Sequence, residues 1–293
     1  MTHLRSIQRQ VLYAALLICA SGTGRPAFAS LLGVDFSGNL FDVDEATGAA
    51  ANSRSTGISN IAGIADSSSG TLFGLSTFAS SPADSLFRIN PTSGASALVG
   101  TTGLSEIFHG GLAFNPVTGV LYGIQNLSTT NTLQLFTLNT TTGAASIVGA
   151  INTVNETGNL ASLAIDKAGN LYVLDTNNSD LLLVNKANGA VLSSVTLSRS
   201  LGFTAGMAFD PVTGVLYVAD GNVNGTNDLY TLNPASGLLS LVGATGISDG
   251  IAGLAFTPTS ATPEPATWGL LFFGSMLFST RLLVKFFGIV YDK

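Results

Sequence analysis

A five-residue block that opens on Asp or Asn and closes on Gly recurs five times along this chain, and its spacing restricts the fold more than any other feature. The copies are Asp44-Glu45-Ala46-Thr47-Gly48, Asn90-Pro91-Thr92-Ser93-Gly94, Asn139-Thr140-Thr141-Thr142-Gly143, Asn185-Lys186-Ala187-Asn188-Gly189 and Asn233-Pro234-Ala235-Ser236-Gly237. Their first residues lie 46, 49, 46 and 48 positions apart. Chemically the block is a tight hairpin turn. The Asx side chain accepts hydrogen bonds from backbone just ahead of it, and Gly supplies the positive φ that closes the turn.

Each block ends a short strand. In residues 40–44, 86–90, 135–139, 181–185 and 229–233, period-two alternation puts Phe41/Val43, Phe87/Ile89, Phe136/Leu138, Leu182/Val184 and Tyr230/Leu232 on one face. A strand upstream of it, as in residues 215–219, is apolar without alternation, as expected of a strand covered on both faces. A third begins each unit, at residues 63–66, 112–115, 163–166, 207–210 and 254–257. Four short strands per unit of about 47 residues fit a propeller blade. The last copy at 254–257 has no strands after it, while residues 31–34 read as a second strand with no first. These fragments complete one blade between them. The fold class is therefore all-β: a five-bladed β-propeller with four-stranded blades, closed by the C-terminal strand joining the N-terminal three. The rivals are an open solenoid or a sandwich, and the split blade argues against both.

Composition bears mainly on partners. Between Ser30 and Thr262 only Arg54, Arg88, Lys167, Lys186 and Arg199 are basic, against fifteen carboxylates. A surface near minus ten repels phosphate, so nucleic acid is not expected as a partner. The single cysteine, Cys19, precedes this region, which excludes a thiol enzyme, a zinc–thiolate centre and a disulfide scaffold there.

The two ends read as targeting segments. Arg5 and Arg9 precede an apolar run, residues 11–20, and a small polar stretch that ends Ala27-Phe28-Ala29. That order is a cleavable secretory signal helix over residues 1–29, cut by signal peptidase before Ser30. Ten apolar residues reach only about 15 Å, too short for an anchor in a layer of about 30 Å. A lipoprotein cut at Cys19 is disfavoured by bulky Ile18 before it. At the other end a Thr/Ser/Pro linker carrying Pro263-Glu264-Pro265 (residues 259–265) leads to Ala266-Thr267-Trp268 and an apolar run, 269–278, with Arg281 and Lys285 beyond. The prolines keep the chain extended. Residues 266–293 are expected to form a membrane helix and basic tail, with Trp268 at the interface and the C-terminus cytoplasmic. Residues 266–280 alone span about 22 Å, so snorkelling of Arg281 and Lys285 would have to extend the span.

This tripartite tail resembles the PEP-CTERM sorting signal of Gram-negative bacteria. In that family Pro-Glu-Pro, a membrane helix and a basic end are recognised by exosortase, a membrane enzyme similar to cysteine transpeptidases. The resemblance implies export across the inner membrane, a transient anchor there, and delivery to the cell surface or an exopolysaccharide-rich biofilm matrix. Here the basic cluster is thin and a further apolar segment, residues 286–291, follows. A plain C-terminal anchor is the alternative. Independently, Gly-Leu-Ala-Phe-Asn-Pro-Val-Thr-Gly-Val-Leu-Tyr at 111–122, with its variant at 206–217, resembles the repeats of secreted bacterial β-propellers.

The best local motif is the loop from Asp220 to Asp228, with Asn222, Asn224 and Gly225 between. Its D-x-N-x-N-G spacing can bring Asp220, Asn222, Asn224 and Asp228 around a calcium ion, and it looks like calcium hairpins of other surface propellers. With two charged ligands the affinity would be weak, roughly 10⁻⁴–10⁻³ M. A bare Asn/Gly hairpin is the other reading. Asp66, Asn115, Asp166 and Asp210 recur at the ends of first strands, where turn capping accounts for them. His109 is the only histidine of the middle region, so neither a zinc site nor a histidine triad is easily assembled. No catalytic residue and no obligatory cofactor is therefore expected; calcium is the one candidate. The expectation is a non-enzymatic display and binding module, with a lactonase-, lyase- or glycosidase-like propeller enzyme as the alternative.

Overall fold

The computed structural model describes residues 30–108, 110–127, 132–153, 159–202, 204–221 and 227–257. In chain order its strands are β1 (Ser30–Asp35), β2 (Asn39–Val43), β3 (Ala50–Ser55), β4 (Ile61–Asp66), β5 (Leu72–Ser76), β6 (Ser85–Ile89) and β7 (Ser96–Thr101). Then come β8 (Leu112–Phe114), β9 (Leu121–Leu127), β10 (Thr132–Leu138), β11 (Ala145–Ala150), β12 (Leu160–Ile165), β13 (Leu171–Asp175), β14 (Asp180–Val184) and β15 (Val191–Thr196). The chain closes with β16 (Thr204–Phe209), β17 (Leu216–Gly221), β18 (Asp228–Leu232), β19 (Leu239–Ala244) and β20 (Ile251–Thr257).

These strands form five four-stranded antiparallel sheets. Four are meanders in chain order: β4–β7 (blade 2), β8–β11 (blade 3), β12–β15 (blade 4) and β16–β19 (blade 5). Blade 1 is β20-β1-β2-β3, the split blade that the sequence implied. Its joint pairs Ser30 with Thr257, Leu31 with Phe256, Leu32 with Ala255 and Gly33 with Leu254. The inner strands touch in the closed order β20, β4, β8, β12, β16 and back to β20, which makes the five sheets a five-bladed propeller.

Burial follows position in the blade. The second strands are covered on both faces, with β1 buried from Leu31 to Asp35 and β5 throughout. The outer strands β3, β7, β11 and β15 contain no buried residue. Between blades lie separate apolar seams, such as Leu32, Ile64, Phe87 and Ala255 between blades 1 and 2. Each large apolar side chain buried in a seam contributes on the order of 1.5–3 kcal/mol, and a lone blade could bury neither face.

The turn blocks behave as their chemistry requires. Asp44 Oδ1 accepts the amides of Ala46 and Thr47 at 2.9 and 2.8 Å, and Asn90 Oδ1 those of Thr92 and Ser93 at 2.9 and 3.0 Å. The third strands therefore stop one residue before the Asx that the alternation had included, because that residue is spent on the turn. The glycine closing each block seats against the outer strand of the preceding blade. Gly94 meets Ser55, Gly143 meets Gly100, Gly189 meets Gly149, Gly237 meets Thr196, and Gly48 closes the circle on Gly243.

The expected signal helix with Ala27 and Ala29, the Pro263-Glu264-Pro265 motif, Trp268, Arg281, Lys285 and the expected membrane helix lie outside the described residues. No helix among the described residues is long and apolar enough to cross a membrane.

Candidate functional site

At or next to the end of each inner strand stands a four-residue word read from the same register. The words are Gly63-Ile64-Ala65-Asp66, Gly111-Leu112-Ala113-Phe114, Ser162-Leu163-Ala164-Ile165, Gly206-Met207-Ala208-Phe209 and Gly253-Leu254-Ala255-Phe256. The equivalence is fixed by pairing: Asp66, Phe114, Ile165, Phe209 and Phe256 each face the first core leucine of the next strand, Leu72, Leu121, Leu171, Leu216 and Leu31. At the first position four of the five words carry glycine, because the backbones of neighbouring inner strands approach closely there; Ser162 is the exception. A Cβ on Gly63 would sit 2.9 Å from Gly111 Cα, and one on Gly253 would sit 2.8 Å from the Ile64 nitrogen.

Beyond this constriction the ring widens into a central pocket of about 670 Å³. Ala65, Ala113, Ala164, Ala208 and Ala255 contribute to its wall, with Phe114, Ile165, Phe209, Phe256 and Asp66 at the next level. Its mouth is the rim of turns between first and second strands, where Ser67, Pro116, Lys167 and Pro211 stand.

The terminal residue of four words packs on a neighbouring blade as hydrocarbon or aromatic ring. Phe114 meets Phe73 at 5.6 Å between centroids, Phe209 meets Tyr172 at 5.5 Å and Phe256 meets Tyr217 at 5.8 Å, all tilted. At the seam between blades 1 and 2 the corresponding residues are Asp66 and Leu32. Both Asp66 carboxylate oxygens are buried and have no hydrogen-bond partner among the described residues. Burial alone pushes this carboxyl up to about 7.

Asp66 thereby corrects one reading of the sequence. Asn115, Asp166 and Asp210 do cap turns: Asn115 accepts from the Val117 amide at 2.9 Å, Asp166 from Ala168 and Asn170 at 2.9 and 2.8 Å, and Asp210 from Val212 at 2.8 Å and from the Thr213 hydroxyl. Asp66 does not. In its blade Ser67 takes that role, pairing its amide with the Thr71 carbonyl and accepting the Thr71 amide on Oγ at 3.0 Å. The Ser67-Ser68-Ser69 run hides a one-residue frame change, whereas the Gly-apolar-Ala word just before it carries the true register.

On the opposite rim, where second and third strands meet, stand two members of the calcium candidate. Asp220 is the penultimate residue of β17 and Asp228 begins β18, while Asn222 and Asn224 lie outside the described residues. Asp220 Oδ1 accepts the Gly202 amide at 2.6 Å. Burial raises its pKa, opposed by that amide and by Arg199. Asp228 Oδ2 accepts from the Tyr230 hydroxyl at 3.0 Å, and Arg199 donates to the same hydroxyl oxygen at 2.6 Å. The Arg199 guanidinium also lies 4.8 Å from the centroid of the Tyr230 ring. Arg199 supplies positive charge that a cation would otherwise bring, a role that sequence spacing did not reveal because it reaches over from the preceding connection. Among the described residues no group of three or more His, Cys, Asp or Glu could hold a metal ion. His109 lies outside the described residues.

The fold and pocket thus define a class: a single-ring β-propeller whose central pocket has, among its described residues, a buried acid without a hydrogen-bond partner in a largely apolar wall. The family described as "Repeat of unknown function (DUF6923)" matches residues 97–262, and the chain belongs to that family. No curated protein matches the sequence. Among solved structures, a gluconolactonase from Xanthomonas campestris is 14% identical, with TM-score 0.47 over 74% of this chain and 72% of that one. The periplasmic gluconolactonase of Pseudomonas aeruginosa is 13% identical, with TM-score 0.42 over 80% and 100%. A protein of unknown function from Bacteroides caccae is 16% identical, with TM-score 0.44 over 74% and 73%. None of these identities carries chemistry from one chain to another.

Proposed function

We propose that this chain is an exported binding and display protein, sorted to the cell surface or extracellular matrix of a Gram-negative bacterium, with its propeller as a rigid non-catalytic module. The observation that carries the binding half is how the polar residues at the pocket mouth are used. Asn115, Asp166 and Asp210 are tied into their own turns, which leaves Asp66 without a hydrogen-bond partner among the described residues, in a wall built mainly of alanine, aliphatic and phenylalanine side chains. Such a pocket selects a ligand by shape and by one polar contact. The export half is supported by the residues around Ala27, Ala29 and Ser30, and by Pro263-Glu264-Pro265 with Trp268, Arg281 and Lys285. Signal peptidase and exosortase are the processing partners in this reading, and exopolysaccharide is a candidate matrix partner.

One observation favours the enzyme alternative: an Asp titrating near neutrality suits general acid–base work. A lactonase, lyase or glycosidase would require further groups converging on the same pocket, and the other acids lining it are engaged in turns. The deciding experiment is fractionation of the tagged protein with mass spectrometry of both mature ends, alongside assays on lactones and glycosides. A mature N-terminus at Ser30, a trimmed C-terminus and no turnover are expected. Retention in the cytoplasm, or Asp66-dependent turnover, overturns the reading.

A further inference from the structure

We propose that the central pocket is a binding site for a small organic cation, an ammonium on an apolar or aromatic body, with Asp66 as its counter-ion. This deepens the binding reading above and rests on it. Three observations converge. First, the position is built for hydrocarbon: the register places Phe114, Ile165, Phe209 and Phe256 where blade 2 carries Asp66. Second, the seam partner changes with it, since the ring of Phe73, Tyr172 or Tyr217 is replaced by Leu32, so blade 2 forgoes an aromatic pair as well. Third, the carboxylate has neither hydrogen bond nor counter-charge among the described residues. Leaving an acid buried without a partner is costly, and a ligand ammonium supplies what the fold withholds.

The surroundings favour a cation over an anion or a neutral polar molecule. Asp166 and Asp210 line the mouth with Lys167 as the basic residue among the lining. Burial first, and the nearby Asp210 charge second, raises the pKa of Glu45; burial likewise raises Tyr217 and Tyr172, with Glu45 and Asp210 adding to the first and Asp166 to the second. The mouth is therefore net negative. Phe114, Phe209 and Phe256 offer ring surface to an ammonium and to its apolar body. Both Asp66 oxygens sit within the wall, so contact requires rotation about χ1 from the seam toward the cavity that the residue lines. Ligand binding and loss of the Asp66 proton are then a single linked event.

The test uses the purified full chain and benzylammonium as probe, with benzyl alcohol and benzoate as the neutral and anionic matches, in titration calorimetry. Benzylammonium should saturate, with affinity rising roughly tenfold per pH unit between pH 5 and 6.5 and levelling above neutrality. At pH 6, buffers of different ionisation enthalpy should report release of most of a proton. Asp66→Asn and Asp66→Phe, checked for folding by their melting curves, should lose at least tenfold in affinity and all of the pH slope. Absence of saturation up to roughly 10 mM, or benzyl alcohol binding as tightly, overturns the proposal. Benzylammonium binding that is unchanged in Asp66→Asn also overturns it, while leaving the propeller a binding module.

Discussion

Gly48 of blade 1 lies against Gly243 of blade 5, so close that a Cβ on Gly48 would stand 2.5 Å from the Gly243 carbonyl oxygen. A Cβ on Gly243 would in turn overlap the carbonyl oxygen of Thr47. This contact latches the first blade onto the last at the perimeter, while β20 joins them at the centre. Gly243→Val should therefore destabilise the protein by about 2–3 kcal/mol. Gly214→Ala makes the comparison: its φ of 75° strains alanine, but no atom lies within 4 Å of the added carbon. That change should cost only about 1 kcal/mol, so chemical denaturation that ranks the two equally would remove the latch.

Deleting residues 251–257 takes away the innermost strand of blade 1 with Ile251, Leu254 and Phe256, which are 0%, 2% and 9% exposed. The remaining three strands of that blade would expose the seams on either side. A fall in melting temperature of at least about 10 °C is expected. An unchanged melt would show that the ring holds without its joint.

Asp66 should make stability depend on pH in a stated direction. Its folded pKa, about 7, lies above the unfolded value near 3.8. Between those values the folded chain holds a proton that the unfolded chain has lost, so stability falls as pH rises through that window and flattens above it. Asp66→Asn should flatten the profile and raise stability at pH 8, with little change at pH 4. Melting curves of both proteins across this range decide it.

The loop from Asp220 to Asp228 gives a calcium test. With a dissociation constant near 10⁻³ M, about 10 mM calcium should stabilise by roughly 1 kcal/mol. Protection from hydrogen exchange should appear in residues 220–228. Because Arg199 already sits beside this carboxylate pair, Arg199→Gln should strengthen the response and Asp228→Asn should abolish it. A melt indifferent to calcium in all three proteins removes the ion.

Replacing Pro263, Glu264 and Pro265 by alanine should leave the protein in the inner-membrane fraction with its C-terminus intact. Normal arrival at the surface, read by immunoblot of fractions and by mass spectrometry of the C-terminal peptide, would contradict sorting through that motif.

The blade count, the strand order and the joint were legible because each depends on local chemistry repeated five times. Asp44, Asn90, Asn139, Asn185 and Asn233 mark register through hydrogen bonds to residues two and three positions ahead, which spacing alone reveals. Asp66 was misread for the opposite reason. Whether an acid before three serines caps a turn or ends a strand depends on which residue pairs with Leu72, a contact made across the sheet. The Arg199–Tyr230–Asp228 chain escaped for the same cause, since Arg199 and Tyr230 meet only when the connection between β15 and β16 folds over β18.

The split blade also orders assembly in time. During synthesis β1, β2 and β3 emerge before the other described strands, yet their inner neighbour β20 is made after all of them, beyond residue 250. Blades 2 to 5 can each pair internally as they appear, while the first sheet must wait with one edge bare. A chaperone or a membrane-bound delay would find its target at that edge.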